Sequence, residues 1–236
     1  MTKFAVSFHP RSGSSWLISS LAQVAGSKVD YEILNDPFPA TAQLQEFTNF
    51  FETDVPNDAT SLVGFKFAPY QIIDKLGFIE AIHAVPDLKI IQLERENIVK
   101  ATFSEIRGIM IYRLTQEKYG EGNPNLVRES DRLGRYPVDL NLFQSTLREK
   151  LTAKLDLHFM MSQINLETIK IKYEEMYFDQ ENVENKIRDY LNIEDFSLRK
   201  SLTKKLTSDQ LSDDITNFEE LREAYAGTEF YNMFSE

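Results

Sequence analysis

Residues 9–15, near the start of the chain, combine a basic side chain, a glycine and several hydroxyls, which are residue types that bind phosphate groups. The preceding residues 3–8 form a short apolar run with aromatic and β-branched members and predict a strand, and residues 16–22 predict a helix. A strand that passes through a Gly/Ser-rich turn into a helix directs backbone N–H groups and the positive end of the helix dipole to one point. Residues 9–15 therefore predict an anion site, and the alternative is an ordinary helix start with a Ser-rich cap.

The side chains of this loop extend the predicted anion site. Arg11 supplies a fixed charge with bidentate donors. The hydroxyl groups belong to Ser12, Ser14 and Ser15, and Gly13 stands among them. The nucleotide-triphosphatase loop requires Gly, four spacers and Gly-Lys-Ser/Thr, and the dinucleotide fingerprint requires Gly-x-Gly-x-x-Gly. Residues 8–15 match neither pattern, so the loop is P-loop-like without being either motif.

Residues 10–17, Pro-Arg-Ser-Gly-Ser-Ser-Trp-Leu, closely resemble the 5′-phosphosulfate loop of sulfotransferases that use 3′-phosphoadenosine-5′-phosphosulfate (PAPS). In that family a Lys or Arg precedes Ser/Thr-Gly-Thr/Ser-Thr/Ser at the end of the first strand. The resemblance implies that residues 11–16 bind PAPS as the co-substrate, with no metal. It also implies that Trp16 stacks on the adenine. A Trp packed against the sheet at the helix start is the alternative.

A second stretch of the chain resembles the same family. Arg95 follows a predicted strand at 88–93, and Ser104 lies on a predicted helix at 97–118. In the family, an Arg that closes this strand and a Ser on the next helix hold the 3′-phosphate, and Arg95 and Ser104 match those positions. Their spacing of nine residues is similar to that of bacterial and carbohydrate-acting relatives, whereas many cytosolic members show eight. The alternative is an Arg that caps the sheet edge and a Ser on a solvated helix face.

Two later segments extend the resemblance over most of the chain. Tyr173-Glu174-Glu175-Met176 is similar to the family's Tyr-Glu-Asp/Glu-Leu segment, whose Tyr lies near the adenine, which assigns Tyr173 to the nucleotide site. Residues 217–222, together with Gly227-Thr228, are similar to the family's C-terminal helix and its end.

Transfer of a sulfuryl group requires cationic donors for the charge that builds on the bridging oxygen. We assign this task to Arg11 and Lys66. Lys66 ends a predicted strand at 61–66, and parallel strands bring their carboxyl ends to one edge of the sheet. The family carries a Lys near the sulfuryl group, which Lys66 matches, and a solvated surface Lys is the alternative.

The acceptor hydroxyl also needs a positioned base at neutral pH. The three His residues fit this task poorly, because His9 is inside the phosphate loop and His83 and His158 lie in predicted helices. In cytosolic sulfotransferases the catalytic His stands where this chain has Phe67-Ala68. A His base is therefore not expected.

Glu32 is the predicted base. It lies 21 residues after Arg11, and tyrosylprotein sulfotransferases and several glycan or bacterial members look similar here, with a Glu base after the first helix. Asp30 and Asp36 are local competitors. A surface Glu, or a partner of the next helix start, is the alternative.

The predicted elements arrange these residues on a parallel sheet. Strands are predicted at 3–8, 61–66, 88–93 and 168–173, and helices at 16–22, 72–84, 97–118, 139–163 and 180–191. Strands that alternate with helices predict an α/β fold with a central parallel sheet flanked by helices, in a single domain of residues 1–236. The stretch 119–137 predicts a long surface loop that lines the acceptor pocket with Arg128, Arg132, Arg135 and Tyr136.

Composition restricts the class of partner. The 236 residues carry a formal net charge of −11, which argues against general binding to nucleic acid or to anionic membranes. The chain has no Cys, which excludes disulfides, thiolate catalysis and Cys metal sites. No stretch approaches the roughly 20 apolar residues of a membrane helix. We expect a cytoplasmic protein that acts on a hydroxyl of a small molecule, a glycan or a lipid.

Two other functions stay open at this stage. A kinase-like ATPase of the same sheet architecture would need a magnesium ligand set and a Gly-Lys-Ser/Thr loop. A non-enzymatic relative would bind PAPS, or its desulfated product 3′-phosphoadenosine-5′-phosphate (PAP), without turnover.

Overall fold

The computed structural model describes residues 1–35, 39–52, 61–122, 133–199, 208 and 210–235. The chain forms two compact units. The first consists of Met1–Glu96 and Ala153–Ser201, and the second of Asn97–Thr152 and Leu202–Glu236. The expectation of a single domain over residues 1–236 stays a prediction.

The first unit contains a five-stranded parallel sheet. Its strands are β1 (Thr2–Phe8), β2 (Ser27–Val29), β3 (Leu62–Phe67), β4 (Leu88–Glu94) and β5 (Thr168–Lys172). They lie in the order β2-β3-β1-β4-β5, and Ser7 of β1 stands opposite Phe67 of β3 and Gln92 of β4. The carboxyl ends of these three central strands therefore meet at one edge of the sheet. The predicted α/β class with a parallel sheet is confirmed.

The helices connect these strands and build the second unit. They are α1 (Ser14–Leu21), α2 (Ala40–Glu52), α3 (Lys75–Ala84), α4 (Ile98–Tyr119), α5 (Leu140–Ile164), α6 (Tyr173–Phe178), α7 (Gln180–Leu191), α8 (Leu211–Asp214) and α9 (Phe218–Glu223). Short 3₁₀ turns occur at Pro69–Gln71 and Asn232–Phe234. Among the described residues, no helical segment combines the length and the apolar character that crossing a bilayer requires.

Both faces of the sheet are covered, because side chains alternate along each strand. On one face Phe4, Val6 and Phe8 pack with apolar residues of α1 and α7 such as Leu17 and Ile187. On the other face Ala5, Phe65 and Phe67 pack with α2, α3 and the C-terminal part of α5, which contribute Phe47, Phe78 and Leu157. The two apolar layers fix the position of the strand ends that carry the predicted site.

The second unit has its own core. Phe103 of α4 packs against Phe143 of α5, with ring centroids 4.7 Å apart, and Phe234 contacts both rings. Residues of α8 and α9, including Leu211 and Leu221, complete the cluster.

Several predicted element boundaries differ from the structure, and some elements were not predicted. Helix α3 begins at Lys75 rather than near residue 72, because the side chain of Asp74 caps it by accepting a hydrogen bond from the Gly77 N–H. Strand β5 ends at Lys172, and Tyr173 is the first residue of α6 instead of the last of the strand. The short edge strand β2 and the helix α2 were not predicted, and β2 has only 3 residues in which to show a period.

Candidate active site

The loop between β1 and α1 turns through two residues with left-handed backbone conformation. Arg11 has φ 68° and Gly13 has φ 86°, and Gly13 is the cap of α1. The Ser12 N–H donates to the His9 carbonyl at 3.3 Å, which closes the turn. The Trp16 N–H donates to the Gly13 carbonyl at 2.9 Å, and the N–H groups that precede it at the helix start have no acceptor within the helix. They therefore face the same region as the loop, as an anion site requires.

Gly13 is required by its surroundings as well as by its backbone angle. A Cβ at this position would lie 2.6 Å from Cδ2 of Tyr173, which is far inside van der Waals contact. The Tyr173 ring thus lies directly against the loop. This contact joins the start of α6 to the start of α1 and brings Tyr173 next to the predicted phosphosulfate loop.

Lys66 lies beside the same loop and contacts Glu32. Its Nζ is 2.8 Å from Glu32 Oε1, 3.0 Å from Ser15 Oγ and 3.4 Å from Ser14 Oγ. The side chain is only 3% exposed and its Nζ lies over the rings of Phe8 and Tyr31, at 4.9 Å and 5.4 Å from their centroids. Lys66 is thus not a solvated surface Lys. The Lys66 ammonium group therefore contacts both the predicted base, Glu32, and the predicted phosphosulfate loop.

Backbone pairing explains how Glu32 reaches Lys66. After β2, the Asp30 N–H donates to the Gly64 carbonyl at 3.0 Å, and the Lys66 N–H donates to the Tyr31 carbonyl at 2.9 Å. The chain therefore continues alongside β3 beyond the end of β2, and Glu32 arrives level with the end of β3. Of its local competitors, Asp30 is exposed, and Asp36 lies outside the described residues.

Two buried glutamines continue the contacts of Glu32, and sequence reasoning missed both. The Gln71 side-chain amide donates to Glu32 Oε2 at 2.6 Å, and Gln43 donates to the Gln71 carbonyl at 2.7 Å. Their side chains are 7% and 1% exposed. The available signal was weak: Gln71 is a polar residue that directly precedes the apolar pair Ile72-Ile73.

Arg95 follows the end of β4 and is tied to the phosphate loop. Its backbone N–H donates to His9 Nε2 at 2.9 Å, and its Nη1 donates to the Arg11 carbonyl at 3.2 Å. The guanidinium carbon lies 4.5 Å from the centroid of the Tyr173 ring. Burial, together with the nearby positive charge of Arg11, lowers the pKa of Arg95, although Tyr173 and Glu174 partly offset the shift. An anion beside this buried guanidinium would stabilise its charged form.

Two buried donors in this region lack a partner among the described residues. They are Arg95 Nε and Ser12 Oγ, on side chains that are 5% and 0% exposed. A buried donor without an acceptor costs about 1–3 kcal/mol. The two groups therefore fit a ligand that brings acceptor oxygens to both strand ends. Among the described residues, no group of three or more His, Asp or Glu side chains is arranged to hold a metal ion.

Trp16 lies at the edge of the loop. Its indole N–H donates to the Arg199 carbonyl at 2.6 Å, and its ring meets Tyr173 edge to face with centroids 6.5 Å apart. The indole is partly buried against the core on the α1 side of the sheet. Both the predicted stacking role and its alternative, packing at the helix start, agree with this position.

Some predicted residues lie in the second unit or outside the described residues. Ser104 is buried in α4 of the second unit, and its predicted contact with the 3′-phosphate stays a prediction. Arg128 and Arg132 lie outside the described residues. Arg135 donates to the carbonyls of Ser212 and Ile215 at 3.1 and 3.2 Å. Tyr136 is buried, which raises its pKa to about 12. The proposed acceptor role of this loop is therefore still a prediction.

The other two His residues, His83 and His158, do not contact the predicted phosphosulfate loop in the contacts described below. His83 is exposed on α3. His158 of α5 lies 2.8 Å from Glu94 Oε2, at the end of β4. Burial tends to raise the pKa of Glu94, but the hydrogen bond and the charge of His158, with Lys154 and Lys170, outweigh it and the pKa is lowered.

Comparison with known proteins was made at the levels of sequence and of structure. No family model matches the chain, and no curated protein sequence matches it. The sulfotransferase domain from the curacin biosynthetic pathway superposes with a TM-score of 0.53 at 17% identity, covering 93% of this chain and 86% of that one. The chain has the sulfotransferase fold.

Two other solved sulfotransferases are also similar to the chain. One is from Alicyclobacillus acidocaldarius, with a TM-score of 0.48 and 17% identity over 96% of this chain and 92% of that one. The other is mouse SULT7A1 complexed with PAP, with a TM-score of 0.47 and 13% identity over 99% and 87%. In this chain's version of the sulfotransferase fold, the carboxyl edge of the sheet carries Arg11, Lys66 and Arg95.

Proposed function

We propose that this protein is a PAPS-dependent sulfotransferase that moves the sulfuryl group to a hydroxyl of a small-molecule, glycan or lipid acceptor. Glu32 is the general base, and Arg11 and Lys66 neutralise the charge that develops on the transferred group. Residues 11–16 bind the 5′-phosphosulfate, with no metal ion. Arg95 binds the 3′-phosphate, and Trp16 and Tyr173 border the adenine.

The observation that carries this proposal is the position of the Lys66 ammonium group. It is 2.8 Å from Glu32 Oε1 and 3.0 Å from Ser15 Oγ, so one cation contacts both the proposed base and the proposed phosphosulfate loop. This contact places the Glu32 carboxylate beside the loop at which the sulfuryl group is proposed to bind, and a general base must lie within hydrogen-bond reach of the acceptor proton.

The proposed reaction follows from these positions. Glu32 accepts the proton of the acceptor hydroxyl while the acceptor oxygen forms a bond to sulfur. The bond between sulfur and the bridging oxygen of the phosphosulfate breaks, and the electron pair stays on the phosphate of the departing PAP. Lys66 has three N–H donors, so it can meet the charge on the bridging oxygen while it remains near Glu32.

Two features of the site support the nucleotide assignment. Ser12 Oγ and Arg95 Nε, which have no partner in the part of the chain that the structure describes, follow the ends of β1 and β4, respectively. PAPS has two phosphate-bearing positions separated by a nucleoside, so it can supply acceptors to both. The burial of Arg95, which lowers its pKa, also favours an anionic partner, because an anion would stabilise the charged guanidinium.

The test is a transfer assay on purified protein with PAPS, a chelator and a panel of phenols, aliphatic alcohols, oligosaccharides and lipid alcohols, read as PAP formation and as sulfated product. We expect turnover with at least one acceptor class. Replacement Glu32→Gln should lower kcat by about 10²- to 10⁴-fold, the range for a lost general base. Binding of PAP, measured by calorimetry, should be unchanged.

Glu80→Gln is the matched control, because Glu80 is exposed on α3 and should leave turnover unchanged. Tight PAP binding without transfer to any acceptor would identify a non-catalytic nucleotide-binding protein. Phosphoryl transfer from ATP that disappears with the chelator, without turnover of PAPS, would favour the kinase-like alternative. Turnover of Glu32→Gln at the parent rate would overturn the assignment of the base.

A further inference from the structure

Both oxygens of the Glu32 carboxylate have a hydrogen-bonding partner: one partner is a charged ammonium group and the other is a neutral amide. Oε1 contacts the Lys66 ammonium at 2.8 Å, and Oε2 accepts a hydrogen bond from the Gln71 side-chain amide at 2.6 Å. Gln71 is neutral, so it orients the carboxylate without adding a second positive charge that would weaken it as a base. The second donor of the same amide lies 3.3 Å from Asn35 Oδ1.

The Gln71 side chain is itself fixed by its acceptor oxygen. Its Oε1 accepts the Ala68 N–H at 2.7 Å, a bond that spans the 3₁₀ turn Pro69–Gln71 directly after β3. The amide oxygen thus accepts from Ala68, and the amide nitrogen donates to Glu32 and to Asn35. Because β3 also carries Lys66, the same strand end positions both partners of the carboxylate.

Gln43 of α2 secures the backbone around this turn. Its amide donates to the carbonyls of Leu34 and Gln71 at 2.8 and 2.7 Å, and its oxygen accepts the Ile73 N–H at 3.1 Å. The side chain is 1% exposed, so these bonds are shielded from water. Gln43 therefore ties the segment that carries Glu32 to the segment that carries Gln71.

We propose that Gln71 is the positioning residue for the general base: its amide holds the Glu32 carboxylate in the orientation that receives the acceptor proton. This inference rests on the proposed function. While other N–H donors of Lys66 meet the charge on the transferred group, Gln71 keeps Oε2 in place, and a remaining lone pair of the carboxylate receives the acceptor proton. A general base must be within hydrogen-bond reach of its proton, and misplacement by about 1 Å costs up to about 10²-fold in rate.

Two substitutions test the N–H donor of Gln71 apart from the other contacts of its side chain. Gln71→Glu retains an oxygen for the Ala68 N–H but replaces the donor toward Glu32 with a second carboxylate. Gln71→Met retains length and loses both polar groups. We expect each to lower kcat by about 10- to 100-fold while KM for PAPS stays at the parent value, because the nucleotide contacts are untouched.

The pH profile distinguishes positioning from a merely structural role. Loss of a donor to a carboxylate disfavours its ionised form, and a second carboxylate disfavours it further. The acidic limb of the kcat profile should therefore move to higher pH in Gln71→Met and further in Gln71→Glu. Partial unfolding would lower the active fraction without moving the limb. PAP binding by calorimetry verifies that each variant is folded.

The double variant tests whether Gln71 acts through Glu32. In the Glu32→Gln background, Gln71→Met should cause no further loss of kcat, since the group that it positions is already gone. Gln45→Met is the control, because Gln45 is exposed on α2 and its side-chain amide donates to Asn49 Oδ1 at 2.9 Å, away from Glu32 and Gln71 in the chain.

The outcomes separate this inference from the proposed function. A parent-like kcat and acidic limb in both Gln71 variants, with Glu32→Gln inactive, would overturn the positioning role and leave the base intact. An active Glu32→Gln would overturn the base and the positioning role together. A shifted limb, an unchanged KM and no effect in the Glu32→Gln background support the inference.

Discussion

His9 Nε2 accepts a hydrogen bond from the backbone N–H of Arg95 at 2.9 Å. The two residues are 86 positions apart in the chain and follow the ends of β1 and β4, which are neighbours in the sheet. A second bond, from Arg95 Nη1 to the Arg11 carbonyl at 3.2 Å, joins the same two segments. The proposed contacts for the 5′-phosphosulfate and for the 3′-phosphate are thus joined to one another by hydrogen bonds between the two strand ends.

Replacement His9→Leu should weaken PAP binding. It leaves the buried Arg95 N–H without an acceptor, which costs about 1–3 kcal/mol, and it releases the strand ends that hold the two phosphate contacts. We expect PAP affinity to fall by about tenfold and the free energy of unfolding to fall by about 1–2 kcal/mol. His9→Gln carries an oxygen near the position of Nε2 and should recover part of both losses.

Calorimetry with PAP and thermal unfolding measure these two effects, and hydrogen exchange of the Arg95 amide reports the bond directly. His83→Leu is the control, because His83 is exposed on α3. Slow Arg95 exchange in His9→Leu would show that this hydrogen bond does not hold the segment.

Arg95→Met should discriminate between nucleotides. If Arg95 contacts the 3′-phosphate, the variant loses a hydrogen bond to a charged group, worth about 1.5–3 kcal/mol, and PAP affinity falls by about 10- to 100-fold. Affinity for adenosine 5′-phosphosulfate, which lacks the 3′-phosphate, should change little.

Competition binding with the two nucleotides measures this difference in affinity. Arg113→Met on the exposed surface of α4 serves as the control. If the variant lost the same affinity for both nucleotides, Arg95 would support the conformation of the loop and would not contact the 3′-phosphate.

Glu94→Gln should reduce stability in a pH-dependent way. The pKa of Glu94 is lowered below its ordinary value of 4.5, so its carboxylate form is favoured in the folded state. Its contribution is present above pH 4.5 and is lost as the pH falls through the lowered value. We expect the variant to lose about 1 kcal/mol of unfolding free energy near pH 6, because a charged hydrogen bond is removed.

Urea unfolding of the parent and the variant between pH 3 and pH 6 measures the effect, and Glu80→Gln provides an exposed comparison. The difference between parent and variant should shrink at the acidic end. If the difference in unfolding free energy between parent and variant stayed constant across this pH range, protonation of Glu94 would not be coupled to folding.

Local sequence patterns predicted four of the five strands but not the edge strand β2. The runs at 3–8, 88–93 and 168–173 are long enough to show strand character, and the helix at 180–191 has the predicted bounds. Strand β2 is too short for a period to appear, and it forms because its backbone pairs with β3. The start of α6 at Tyr173 was missed because Thr168 to Tyr173 is β-branched and aromatic throughout, apart from its lysines.

The candidate site also contains a part that the sequence predicts and a part that depends on the fold. Residues 11–15 are contiguous, so the amino-acid order alone indicates an anion-binding loop after a strand. Glu32 and Lys66 were predicted separately from family resemblance, and their ion pair depends on the residues after β2 pairing beside β3. Gln71 and Gln43 carried no local signal, because a buried glutamine has no distinctive spacing.

The sequence by itself determined a parallel α/β protein with a phosphate-type loop at residues 9–15, since strand and helix periods and a Gly/Ser turn are properties of neighbouring residues. Only the tertiary structure decided which distant groups meet this loop. Strand order and register bring Lys66 to Ser15, Arg95 to His9 and Gln71 to Glu32. Such contacts arise from burial and from hydrogen bonds that close only when the whole sheet is assembled, and no local pattern encodes them.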